Sequence, residues 1–215
     1  MAVKIHDCEQ RSEEWFELKR GLLSSSTVSL ALAKTKSGWG ASRDNLMTQL
    51  VMERLGIPVE GFTSLEMQWG IDTEPEARNA YSFITDNEVQ EVGFVTSSGL
   101  EGMGASPDGL IDHDGLLEIK CPAPKTHMKT MLTGKYDYKY WQQMQFQMMI
   151  CDRQWCDFVS YDPRMPPHLQ FWTRRVYRMD NDEMHQFAQD CRDFVTQLEE
   201  RMKQLEKVEP IANVA

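Results

Sequence analysis

The chain has 215 residues, 41% hydrophobic and 26% charged, which suits one domain with its own core and excludes wholesale disorder. No apolar run approaches the ~20 residues of a membrane span, and the start, Met1-Ala2-Val3-Lys4-Ile5-His6-Asp7, lacks the apolar centre of a secretory signal, so a cytoplasmic location is expected. A net charge of −10 argues against nonspecific adhesion to nucleic acid, although cations gathered on one surface would still allow a DNA enzyme.

Ser12 fits the cap of a first helix, with Glu13 and Glu14 in its first turn and Gly21 at its end. A short second helix follows Ser24-Ser25-Ser26. Lys36-Ser37-Gly38-Trp39-Gly40 has the composition of a loop. Ser42 is a candidate cap for a third helix, which stops at Gly56-Ile57-Pro58. Residues 64–85 read as helix, with Pro75 a candidate break. Strands are expected over 90–96 and 102–105, then a hairpin, then helices over 125–133 and 137–151. Two more strands, 155–161 and 169–176, precede a long amphipathic helix from 180 to 207 carrying Phe187, Cys191, Phe194 and Leu198 on one face. The expected fold class is α/β (α+β): a central mixed sheet flanked by helices, residues 1–208 forming one domain and 209–215 a flexible tail.

The hairpin carries the chemistry. Gly109-Leu110-Ile111 and Leu116-Leu117 are its apolar arms, and Asp112-His113-Asp114-Gly115 its turn, with Asp-Gly a strong hairpin signal. Strand alternation puts Glu118 and Lys120 on one face. Asp108, at the far end of the partner strand, can come alongside them. Two carboxylates suit a hard divalent cation. A lysine beside it could orient an attacking water and offset charge developing on a phosphate. An ordinary hairpin with a solvated polar face would show the same residues.

The five cysteines, Cys8, Cys121, Cys151, Cys156 and Cys191, form no CxxC pair and are expected as free thiols. The histidines show no zinc spacing. Met144, Met148 and Met149 read as core filling.

Pro107-Asp108 followed by Glu118-x-Lys120 resembles the PD-(D/E)xK nuclease motif. Further fragments, in order, resemble the lambda-type exonucleases, also called YqaJ-like viral recombinases. They are Trp15 through Ser26, Trp69-Gly70-x-x-x-Glu74, Ser106 through Leu110, Leu117 through Pro122, Tyr140-Trp141-Gln142-Gln143-Met144-Gln145, and Tyr161-Asp162-Pro163-Arg164-Met165. The resemblance implies a restriction-endonuclease-like core and a magnesium-dependent 5′→3′ exonuclease acting on double-stranded DNA ends. Such an enzyme releases mononucleotides and leaves a 3′ single strand. The resemblance also implies a homotrimeric ring, a phage-type single-strand annealing protein as partner, and a bacterial host cell. A ring with a basic inner channel would reconcile DNA binding with the acidic total charge.

By the same resemblance, Asp108 would bridge two Mg²⁺ ions, with Mn²⁺ a substitute, and Glu118 would bind at least one of them. The Ile119 backbone carbonyl would complete that shell, and Lys120 would position or help deprotonate the water. Glu74 would assist from a second flank. Gln143 would hydrogen-bond water or phosphate, with Gln145 less well placed because helix residues two apart diverge. Ser26 and Ser106 match positions that bind the terminal 5′-phosphate together with a basic residue. Lys19 stands where that residue is arginine, and Arg20 is the next candidate. Lys36 and Trp39 are candidates for contact near a fraying DNA end, and Arg164 for the DNA backbone or a neighbouring subunit. The alternatives are a site-specific PD-(D/E)xK endonuclease and a non-catalytic DNA-end-binding scaffold.

Overall fold

A computed structural model describes residues 2–36, 38–59 and 64–208. The expected flexible tail, 209–215, and Ser37 lie outside the described residues. The chain opens with β1 (Val3–His6), α1 (Glu13–Lys19), β2 (Leu23–Ser24), α2 (Val28–Ala31), β3 (Lys34–Thr35), β4 (Gly38–Trp39), α3 (Ala41–Arg54) and α4 (Leu65–Thr85). Then come β5 (Val89–Gln90), β6 (Phe94–Ser97), β7 (Met103–Gly104), β8 (Gly109–Ile111), β9 (Gly115–Lys120), α5 (Pro124–Thr133) and α6 (Tyr138–Cys151). The last are β10 (Trp155–Tyr161), β11 (Phe171–Tyr177) and α7 (Asn181–Leu205).

The main sheet has five strands in the order β11-β10-β9-β8-β5. β9 and β10 are parallel, and the other neighbours are antiparallel, so the sheet is mixed. A parallel pair needs a crossover, and here α5 and α6 supply it. Alternation along β9 divides the core. Leu116 packs on the side of α6 with Leu110, Phe158 and Val176, where α2, α3 and α7 add a second layer. Leu117 and Ile119 face the opposite way, under Ala77 and Tyr81 of α4. Glu118 and Lys120 therefore project toward α6, as alternation requires.

The main elements match the sequence pattern, with four differences. α4 runs unbroken through Pro75, which is exposed, while Thr73, Ala77 and Tyr81 pack its other face against the sheet. The missing amide lies toward solvent, and packing holds the helix together across it. α3 is capped by Gly40, not Ser42; the Gly40 amide donates to Ala33 O at 2.8 Å, which sets the helix start two residues earlier. The segment around Lys36 is a small antiparallel pair, and Trp39 lies on the cations of Lys34 and Arg43, 4.8 and 4.0 Å from its ring centre. The expected strand 90–96 is two strands in two sheets, β5 beside β8 and β6 beside β1. The division falls at Gly93, where a Cβ would lie 2.0 Å from Cys8 O, so only glycine permits that approach. All five cysteines are free thiols. No helix among the described residues is long and apolar enough to cross a membrane.

Candidate active site

The β8–β9 hairpin brings Asp108 to Glu118 through the backbone. The Asp108 amide donates to Leu117 O at 3.1 Å, and the Ile119 amide donates to Asp108 Oδ2 at 2.6 Å. Two further side chains pin the segment ahead of it. Gln10 Nε2 donates to Pro107 O at 3.0 Å, and Arg78 Nε donates to Asp108 O at 3.0 Å. Asp108 therefore sits at a fixed point beside β9, eleven residues from its amide donor in sequence but adjacent in space.

Glu118 is fully buried, which costs a lone carboxylate several kcal/mol. Three donors offset that cost. Gln143 Nε2 reaches Oε1 at 2.8 Å, Gln147 Nε2 reaches Oε2 at 2.7 Å, and the Lys120 ammonium pairs with Oε1. Gln143 and Gln147 are one helical turn apart on α6, so one face of that helix holds the carboxylate. Gln145 points elsewhere: its amide donates to Tyr177 O and accepts from Met179 N, both at 2.9 Å.

The carboxylates outnumber the cation beside them. Burial pushes the Asp108 carboxyl well above its ordinary value, and Glu118 and Glu74 push it further, against Lys120 and the Ile119 amide. Burial disfavours the Lys120 charge, but Glu118 and Asp108 outweigh it and raise its pKa. Such a site favours an added cation. Among the described residues no group of three or more His, Cys, Asp or Glu side chains could hold a metal. The donors on offer are two carboxylates and the Ile119 carbonyl, all hard oxygens, with water left to complete a shell. That set fits Mg²⁺, which keeps several waters, better than it fits zinc.

A cavity of about 830 Å³ lies between α1, α4 and α6, lined by Ile119, Lys120, Gln143 and Glu74 on one side, with Asp108 and Glu118 behind that lining. Glu74 is held by Arg78 at 2.7 Å and Arg11 at 3.1 Å. The other wall carries Lys19, Ser24, Ser25, Ser26 and Ser106. Lys19 lies over the Trp15 ring, 4.4 Å from its centre, and forms no ion pair among the described residues. Burial lowers its pKa, Arg11 adds to that, and Glu53 opposes it. Trp15 Nε1 donates to Ser106 Oγ at 2.8 Å, which leaves the Ser106 hydroxyl proton for another acceptor. Arg164 lines the cavity at the α4 side, 4.1 Å above the Trp69 ring and paired through two nitrogens with buried Asp162.

The structure thus brings together Asp108, Glu118, Ile119, Lys120, Glu74, Gln143, Lys19, Ser26, Ser106 and Arg164. It does not bring Arg20, Lys36 or Trp39 to the cavity wall. Arg20 follows the end of α1 and pairs with Glu17 at 2.5 Å on the exposed side. Of the two adjacent cations, the helix turns Lys19 inward and Arg20 outward. Lys36 is exposed in the β3–β4 turn, and Trp39 is occupied by its two cations. Sequence reasoning missed Gln147, Arg78 and Gln10. The helical period held a signal for two of them, since Gln147 follows Gln143 and Arg78 follows Glu74 by four residues.

A family model described as the YqaJ-like viral recombinase domain matches residues 14–154. No curated protein matches the chain. Among solved structures, the chain is similar to an alkaline exonuclease, LHK-Exo, from Laribacter hongkongensis, at 39% identity and a TM-score of 0.84, covering 91% of this chain and 97% of that one. The same figures hold for LHK-Exo in complex with dAMP. A phage-related exonuclease from Haemophilus somnus 129PT shares the fold at 15% identity, with a TM-score of 0.63 over 86% of this chain and 98% of that one. With its family model spanning the hairpin and the α6 glutamines, and a 39% identical exonuclease matched nearly end to end, the chain belongs to the YqaJ-like viral recombinase family and is a nuclease.

Proposed function

We propose that this protein is a magnesium-dependent 5′→3′ exonuclease of double-stranded DNA. It digests linear duplexes from their ends to mononucleotides and leaves 3′ single strands for annealing-based recombination. The observation that carries this reading is one cavity with two polar walls: Ile119 and Lys120 on one, bonded directly to Asp108 and Glu118 behind them, and Lys19 with Ser26 and Ser106 on another. A scissile phosphate at the first wall and a terminal phosphate at the second are what removal from a 5′ end requires. The relative's complex with dAMP supports a deoxymononucleotide as product.

Asp108, Glu118 and the Ile119 carbonyl would hold two Mg²⁺, with Mn²⁺ able to substitute, since both take oxygen ligands. Bound there, the metal supplies Lewis-acid stabilisation of the phosphate and acidifies water. The protein's own groups do the positioning. Lys120 Nζ orients the attacking water and offsets negative charge on the phosphate. Gln143 and Gln147 fix the Glu118 carboxylate, and Arg78 and Arg11 fix Glu74. Lys19 attracts the 5′-phosphate as a point charge while Ser26 and Ser106 donate to its oxygens. Arg164, on the cavity lining, would contact the DNA backbone or a neighbouring subunit. The net charge of −10 is compatible with a homotrimeric ring with its cations turned inward, and the family reading adds a phage-type annealing protein that takes the 3′ strand and work in the cytoplasm of a bacterial host.

Asp108→Ala and Lys120→Ala test the assignment. Each abolishes hydrolysis of linear duplex while the circular-dichroism spectrum stays that of the parent. Turnover retained in either purified variant removes that residue from the chemistry.

A further inference from the structure

A second groove, of about 500 Å³, lies between the start of α6, the turn before it and the edge strand β11. It shares no residue with the catalytic cavity, yet the first turns of α6 separate the two. Lys139, Tyr140 and Gln143 face the cavity, and Tyr138 and Trp141 face the groove. Tyr138 and Trp141 stack with ring centres 5.1 Å apart and planes 15° from parallel. Tyr138 is 64% exposed and Tyr177, at the end of β11, is 69% exposed. Water-exposed rings on one groove are a costly use of apolar surface unless something covers them.

The charges name the occupant. Lys135 and Arg174 line the groove, and no Asp or Glu does. Neither cation is in an ion pair among the described residues; Arg174 donates only to Gly134 O, at 2.8 Å. The neighbouring Asp137 is engaged as the α6 cap, accepting from the Lys139 amide at 3.0 Å. Arg175 is occupied by Asp157 and lies 3.5 Å over Trp155. In a chain of net charge −10, unpaired cations flanking a ready-made aromatic stack are the composition of a single-strand nucleic-acid platform. Duplex DNA hides its base faces and could use only the cations. The basic residues along β11 also oppose pairing of that edge with another strand.

We propose that this groove binds single-stranded DNA, stacking bases on Tyr138, Trp141 and Tyr177 and contacting phosphates through Lys135 and Arg174. It rests on the exonuclease reading in one respect: the strand it holds is the one that hydrolysis leaves uncut. Held beside the cavity, that strand keeps the enzyme on its substrate between cleavage steps.

The test is fluorescence anisotropy of a labelled oligothymidylate titrated with the whole protein in EDTA, where nothing is hydrolysed. Tyr138→Ala weakens binding at least about fivefold, the low end of base–aromatic stacking. Lys135→Glu makes the slope of log affinity against log salt shallower by about 0.7, one phosphate contact on a single strand. Unchanged affinity and slope in both variants overturn the proposal. So does a change in sedimenting mass with unchanged oligonucleotide affinity, which makes the groove an interface between copies. Discrete cuts in closed circular duplex would overturn the exonuclease reading alone, because the titration requires no catalysis.

Discussion

Gln147→Leu separates the support of Glu118 from contact with substrate. Gln147 is fully buried and does not line the cavity, so it acts only through Glu118 Oε2, to which it donates at 2.7 Å. Leucine is of similar volume and carries no donor. The lost hydrogen bond to a charged acceptor is worth about 1.5–3 kcal/mol. The substitution also removes the Gln147 Oε1 atom, which is buried without a partner and carries a penalty of about 1–3 kcal/mol. The two oppose each other, so stability changes by no more than about 2 kcal/mol, and Tm by no more than about 8 °C for a chain of this size. Activity does not share that offset. A carboxylate ligand that has lost an orienting partner typically costs 10–100-fold in metal affinity or rate. The assay is the initial rate of duplex hydrolysis across a Mg²⁺ titration, with a thermal melt of the same preparation. The expected result is a higher Mg²⁺ requirement in a protein that melts near the parent temperature. An unchanged rate and Mg²⁺ requirement would refute the reasoning, and so would a Tm lowered by more than about 10 °C.

The remaining predictions concern the second wall and the backbone. Lys19→Ala reduces the preference for 5′-phosphorylated over 5′-hydroxyl ends, measured as the ratio of initial rates; an unchanged ratio assigns that role elsewhere. Because burial lowers the Lys19 pKa, its positive charge is present at low pH and is lost as pH rises, sooner than for an ordinary lysine. The parent's 5′-phosphate preference therefore declines on the alkaline side, while Lys19→Arg keeps it there; parallel profiles would contradict this. Gly93→Ala forces a Cβ to within 2.0 Å of the Cys8 carbonyl oxygen, backbone against backbone. It lowers stability by about 1–3 kcal/mol, seen as a Tm about 2–12 °C lower, and a parental melt would show that the close approach is relaxed at no cost.

What the sequence made legible was local. The hairpin announced itself through Asp-Gly between apolar arms, and alternation put Glu118 and Lys120 on one face before any tertiary contact was known. Gln143 came from a motif, and Gln147 was one turn further along the same helix. It was hidden inside Met144, Met148 and Met149, which read as core. The choice between Lys19 and Arg20 depends on where α1 ends relative to Trp15, a contact that composition does not encode. The parallel β9–β10 pairing spans two helices, and β1 pairs with a strand almost ninety residues away. Pattern within a short window carries neither. Pro75 misled because its local preference is overridden by the packing of Ala77 and Tyr81. Trp39 was a candidate for DNA contact with local packing as its plainer reading, and Arg43, buried on the next helix, packs against its ring.

Digestion of matched linear and covalently closed circular duplexes, labelled at either the 5′ or the 3′ end where ends exist, tests the central claim most directly. With Mg²⁺, mononucleotides are released from the 5′-terminated strand of the linear DNA alone, and none without the metal. Discrete cuts in the closed circle, or release beginning at the 3′ end, would contradict the account.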